Sequence, residues 1–387
     1  MRVALVAGPD AGHAFPALSL AELLQRNGSE AVVFTGSGWV ESAAARGLEV
    51  RELPGLAAGL DEDDMDAGAK LGARAARMCS ELIPVLREWQ PDLVVCDVIT
   101  VCGGWAADAL GIAWVELSPH PLYRPSVGLP PIGSGLEPGT GIGGRLRDAL
   151  MRAATNRSIR QGERQRRAAR RTIGLADPGS PPTARLIATL PALEVPRPDW
   201  PDGAEVIGPL LWEPTETVFV LPPGDAPLVV IAPSTALSGT TGLAEMALEA
   251  LAPAMLGRPV RAVVSGLAPD VDDLPPWAVA GHGRQDRLLA EATLVICGAG
   301  HGMLAKSMLA GVPQVLVPGG GDQWELAQRA HRWGSAEVVR PVTVETLSAA
   351  CRKVLEDNTF AVAARRAGHT GADVVDPVAV CARAALA

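Results

Sequence analysis

Short, nearly unbroken apolar runs recur along this chain, each giving way to a glycine- or proline-bearing loop and then to apolar residues at helical spacing. Residues 3–7 lead through Gly8-Pro9 into a helical pattern over 17–26, and the unit returns at 31–35 with 41–46, at 48–53 with 71–89 and at 93–96 with 101–110, before a further run at 113–117. A strand buried on both faces reads as a continuous apolar run, and parallel neighbours need a helical crossover. The pattern therefore predicts a parallel sheet covered on both sides. A second series begins with strand 228–232 and runs through helix 243–256, strands 260–265 and 294–297, helix 303–310, strand 314–318 and helix 324–333. Further helices are expected at 343–356 and 378–386.

Between the two series the rhythm breaks. Residues 118–144 are rich in proline and glycine, 145–172 read as one or two arginine-rich helices, and a strand at 186–189 precedes a proline-dense stretch, 191–227, of linker composition. A length of 387 residues also favours two domains. The expected fold is α/β, two doubly wound Rossmann-like domains facing a cleft: 1–213, a linker at 214–227, 228–372, and a C-terminal helix in 373–387 that packs back on the first domain.

A net charge of 34 − 43 = −9 speaks against nucleic acid as a partner. Six scattered cysteines without CxxC spacing suggest neither zinc nor a disulfide framework, and no stretch is apolar and long enough to span a bilayer, so a reduced, cytoplasmic setting is expected. The acidic run Asp61-Glu62-Asp63-Asp64 reads as a solvated loop rather than a metal site, and no metal is expected. The arginines from Arg157 to Arg171 read by default as a solvated helix face, with an anionic acceptor or peripheral membrane contact as the minority reading. A monomer or homodimer fits the chain equally.

In a parallel open sheet the loops that follow the strands share one edge, which holds the ligand. The loop after the first strand brings His13 to that edge at the start of a helix, where an imidazole can act as a base near neutral pH. The strand at 93–96 delivers Asp97 to the same edge, where it can accept the Nδ1 proton of His13 or serve as a helix cap. In the second series, Gly298-Ala299-Gly300-His301-Gly302 joins a strand to a helix and can hold phosphates or simply pack tightly. Asp322 and Gln323 follow the next strand and can hydrogen-bond sugar hydroxyls. A nicotinamide dehydrogenase would need GxGxxG spacing in the first loop, which is absent, and an epimerase would need acids around the sugar that are not found.

The ordered set Gly12-His13-xx-Pro16, Pro91 to Asp97, Gly208-Pro209-Leu210, Gly298 to Gly302, Ala310-Gly311-Val312-Pro313-Gln314 and Gly321-Asp322-Gln323 resembles the bacterial natural-product and UDP-glucuronosyl-like glycosyltransferases over nearly the whole chain. The resemblance implies a GT-B fold and an inverting, metal-independent transfer from a nucleoside-diphosphate sugar, UDP or dTDP, to a hydroxyl of a small, apolar or natural-product acceptor. It implies no cofactor beyond the nucleotide sugar as co-substrate. It makes His13 the base and Asp97 its orienter, Ser234 and Thr235 part of a donor loop, and Asp322 and Gln323 the sugar-binding pair. The family's pyrophosphate-binding histidine falls on Gly298 and its threonine on Met303. Planar partners for the donor base reduce to His282 and Arg284, beside Gln285, while Lys306 stands where plant relatives keep a ribose-binding acid. Either His301, Arg284 and Lys306 supply positive charge to the diphosphate, or donor binding is weakened and the chain is an impaired homologue that binds nucleotide sugar or assists a partner enzyme.

Overall fold

The computed structural model describes residues 1–57, 66–234, 240–266 and 274–387. Its first half is a seven-stranded sheet of β1 (Arg2–Val6), β2 (Glu30–Thr35), β3 (Glu49–Glu52), β4 (Leu93–Asp97), β5 (Trp114–Ser118), β6 (Ala184–Ile187) and β7 (Ala204–Val206) in the order 3-2-1-4-5-6-7. Its second half is a six-stranded sheet of β8 (Leu228–Ala232), β9 (Arg261–Ser265), β10 (Ala278–Gly281), β11 (Leu294–Cys297), β12 (Gln314–Leu316) and β13 (Ala336–Val338) in the order 10-9-8-11-12-13. Every strand pair is parallel.

The helices of the first half are α1 (Ala11–Arg26), α2 (Val40–Ala44), α3 (Ala67–Trp89), α4 (Cys102–Leu110) and α5 (Gly141–Thr172). Those that follow are α6 (Leu243–Leu251), α7 (Pro253–Leu256), α8 (Gln285–Glu291), α9 (His301–Leu309), α10 (Gln323–Arg332), α11 (Val344–Glu356), α12 (Thr359–His369) and α13 (Pro377–Ala384).

Side chains alternate between the two faces of each sheet, and both faces are buried. Val3, Leu5, Val33 and Val95 pack under α1 with Leu18 and Leu24, whereas Ala4, Val6, Phe34 and Val94 pack under α3 and α4 with Leu82, Leu86 and Trp105. The second sheet divides likewise, Val229, Ile231 and Ile296 on one side and Val230, Val263 and Val295 on the other. Each such Val, Leu, Ile or Phe side chain, fully buried, contributes roughly 1.5–3 kcal/mol, which is why these runs carry almost no polar residue. Two close approaches seat α4 on the sheet: a Cβ at Gly103 would lie 2.8 Å from Val6 Cβ, and one at Gly104 would lie 2.9 Å from the Trp114 ring.

Two details differ from the sequence reading. The arginine-rich segment is one helix of 32 residues, α5, lying along α3. The edge strands β7, β10 and β13, three or four residues each with half-exposed patterns, are too short to announce themselves, and β7 comes from within the proline-dense stretch. Helix α13 leaves the second half and inserts Val380, Cys381 and Ala384 into the core of the first, after Val375 N has donated to Val206 O at 3.1 Å.

Candidate active site

Helices α1 and α4 leave β1 and β4, which are neighbours, toward opposite faces of the first sheet. The chain therefore splays apart at the carboxyl ends of these two strands, the place where open α/β sheets bind ligands. His13 is the third residue of α1 and Asp97 the last residue of β4, so both fall at this point.

His13 Nδ1 lies 2.8 Å from Asp97 Oδ1. Since a carboxylate accepts, the proton is assigned to Nδ1 and the lone pair to Nε2. The other carboxylate oxygen, Oδ2, accepts from Thr100 Oγ1 at 2.9 Å and from the Thr100 amide at 3.2 Å, which fixes an acid only 1% exposed. The His13 side chain keeps 20% of its surface accessible. Burial alone would lower its pKa and is the largest single influence. The hydrogen bond and charge of Asp97, with the charges of Asp10 and Asp322, outweigh it and raise the value above 6.5.

The second half reaches the same place through Asp322 and Gln323 at the start of α10. Asp322 Oδ2 accepts from the Tyr123 hydroxyl at 3.0 Å, a bond between the two halves. Gln323, 3% exposed, accepts from the Gly319 amide through Oε1 at 2.9 Å and donates to Ser234 Oγ at 3.0 Å, so it ties the loop after β12 to the loop after β8. Gly298 lies under this pair, with a hypothetical Cβ 3.3 Å from both Gln323 Oε1 and Ser234 Cβ. The space beside position 298 is thus already taken by the amide. Ala299 adopts φ 63°, turning the chain from β11 into α9, and open space faces Gly300 and Gly302 at the α9 N-terminus.

The three residues that could have compensated at the diphosphate are engaged elsewhere in this arrangement. His301 Nε2 meets Thr189 Oγ1 at 2.9 Å, and burial, then the nearby His120 and Arg329, lowers its pKa to about 3, so it is neutral and no cation. Arg284 is matched by Asp286 at 2.6 Å and Glu216 at 2.7 Å, and Lys306 by Glu213 at 2.6 Å. Gln285 joins that last pair: its Oε1 accepts from Lys306 Nζ at 3.0 Å and its backbone N–H donates to Glu213 Oε2 at 3.1 Å. His282 is exposed, and Thr235 and the acidic run 61–64 lie outside the described residues.

Two residues at the site were not singled out from sequence. The His120 ring meets that of His13 edge-on, centroids 6.4 Å apart, and stacks on Tyr123 at 4.3 Å. The rule that found Asp97 would have found His120, which follows the adjacent strand β5 to the same edge. Among the described residues no cluster of three or more His, Cys, Asp or Glu could hold a metal, and no helix is long and apolar enough to cross a membrane. All six cysteines are buried and free.

Residues 283–376 match the glycosyltransferase family 28 C-terminal domain. Over 94% of both chains the protein is 25% identical to 4'-demethylrebeccamycin synthase of Lentzea aerocolonigenes, and it is 24% identical to L-demethylnoviosyl transferase of Streptomyces niveus, covering 98% of this chain and 96% of that one. The fold superposes over all of both chains on the glycosyltransferase SsfS6 of Streptomyces sp. SF2575 complexed with thymidine diphosphate, with a TM-score of 0.69 at 21% identity. With two parallel-sheet halves, a matched glycosyltransferase C-terminal domain and relatives that span the chain end to end, this protein is a glycosyltransferase of GT-B fold, similar to those that act on bacterial natural products.

Proposed function

We propose that the chain transfers a sugar, with inversion and without a metal, from a UDP- or dTDP-sugar to a hydroxyl of a small apolar acceptor. The observation that carries this reading is the 2.8 Å His13–Asp97 pair at the β1/β4 mouth, with Asp322 of the other half close enough to add to the His13 charge balance. In this mechanism His13 Nε2 takes the acceptor proton as the acceptor oxygen bonds to the anomeric carbon, and the bond from that carbon to the diphosphate oxygen breaks on the opposite face. Asp97 stabilises the imidazolium so formed. The leaving diphosphate gains negative charge, which the amides and positive end of α9 beside Gly300 and Gly302 offset. Asp322 holds a sugar hydroxyl, and Gln323 and Ser234 shape the floor beneath it. The division into 1–213, 214–227 and 228–372 is part of the same proposal, the first domain taking the acceptor and the second the donor.

The test is His13→Ala. Turnover is expected to fall by about 10²–10⁴, while UDP, dTDP and their glucose conjugates still raise the melting temperature as they do for the unaltered chain, because ligands held by the native state alone stabilise it. Turnover retained in His13→Ala would reject His13 as the base.

A further inference from the structure

An unbroken line of side chains joins the two halves at the active site. From Asp97 and His13 it passes to His120, whose ring stacks on Tyr123 with 20° between the planes, and ends where the Tyr123 hydroxyl donates to Asp322 Oδ2. Two features make the last link more than a chance contact. Asp322 stands at the N-cap of α10, where an aspartate ordinarily accepts from the amides of its own helix, yet its side chain makes no such bond. Tyr123 in turn has its ring against both the His120 ring and the Arg329 guanidinium, the latter 5.9 Å from its centroid. Burial, then the charge of Asp322, pushes the Tyr123 hydroxyl well above its ordinary pKa, so it remains a donor.

We propose that Tyr123 is a positioning residue: from the acceptor-side half it fixes one oxygen of Asp322, leaving the other to meet a hydroxyl of the donor sugar. The inference rests on reading Asp322 as a sugar-binding residue. It makes recognition of the sugar, but not of the nucleotide, depend on a loop of the opposite half. That loop has other anchors: Gly135 N donates to Glu325 Oε2 at 2.8 Å, Trp324 Nε1 to Ser134 O at 3.2 Å, and Arg332 Nη1 to Gly135 O at 2.9 Å. Removing one hydroxyl therefore leaves the loop docked.

Tyr123→Phe keeps the ring and its stacking and deletes only the donor. With UDP-glucose and dTDP-glucose as donors, KM is expected to rise roughly tenfold, the scale of a hydrogen bond to a charged group, whereas the affinities for UDP and dTDP stay unchanged. Asp322→Ala should raise the same KM, and adding Tyr123→Phe to it should change nothing further, since coupled residues fail to add. A Tyr123→Phe variant with unaltered KM, beside an Asp322→Ala variant with raised KM, overturns the positioning role alone. Equal losses for UDP and UDP-glucose in Tyr123→Phe also overturn it, because they mark a general loosening. An Asp322→Ala variant with unaltered KM, or no binding of either sugar nucleotide by the unaltered chain, sinks the reading of Asp322 and this inference with it.

Discussion

His13 sits between opposing influences, burial that favours the neutral ring and a carboxylate that favours the charged one, and the carboxylate wins. As the proposed base, His13 works only when deprotonated, so the acid limb of the kcat/KM profile is expected above the ordinary histidine value of 6.5. Asp97→Asn removes the main cause of the rise: the limb should shift to lower pH while kcat drops roughly hundredfold or more, since an amide no longer enforces the working tautomer. A limb that stays in place would show that Asp97 does not set the base. Stability carries a matching signature. The raised His13 value favours the folded state below 6.5, and this contribution is lost as pH rises through the folded-state pKa. His301 acts with the opposite sign: its folded value near 3 makes its contribution present above 6.5 and lost as pH falls toward 3. His13 and Asp97 were legible because strand ends in a parallel sheet share an edge. The partner of His301 was not, because Thr189 lies 112 residues away and joins it only when the halves meet. Nor did the sequence disclose that Gly298 leaves room for the Gln323 amide, since nothing local to a glycine says which side chain occupies the space beside it.

At the scale of single elements, α4 forms the wall behind Asp97, and its close approach depends on two consecutive glycines. Gly104→Ala would force a Cβ against the Trp114 ring, a rigid neighbour. A loss of about 1–3 kcal/mol is expected in chemical denaturation, with UDP and dTDP affinity retained. No loss would mean that the helix can shift outward at little cost. Long buried strands such as β1, β4 and β8 were readable from their apolar runs. The edge strands β7, β10 and β13 were not, because three or four half-exposed residues leave no period to detect, and the neighbouring strand rather than their own composition places them. The extent of α5 was hidden for a related reason. A helix exposed over most of its length has no apolar stripe to mark where it begins and ends.

For the molecule as a whole, the two-sheet plan follows from strand–helix alternation, but the way the halves meet does not. That meeting uses buried polar contacts, Arg329 donating to Leu193 O at 2.7 Å and lying 3.9 Å from Glu194, and a linker carboxylate, Glu216 bridging Arg46 and Arg284. Such groups look like ordinary surface charges in a sequence. The return of α13 is the tertiary feature with the clearest test. Val380→Asp places a carboxylate in the first half's core, where an unpaired charge is costly. Limited proteolysis is expected to cut first within residues 1–213, far in sequence from the substitution, and cleavage confined to the second half would contradict the packing. The same arrangement bears on synthesis. A ribosome releases residues 1–213 long before it reaches Val380, so the surface awaiting that helix stays uncovered while the entire second sheet is being made, and the nascent first half needs a temporary cover or a tolerance for delay.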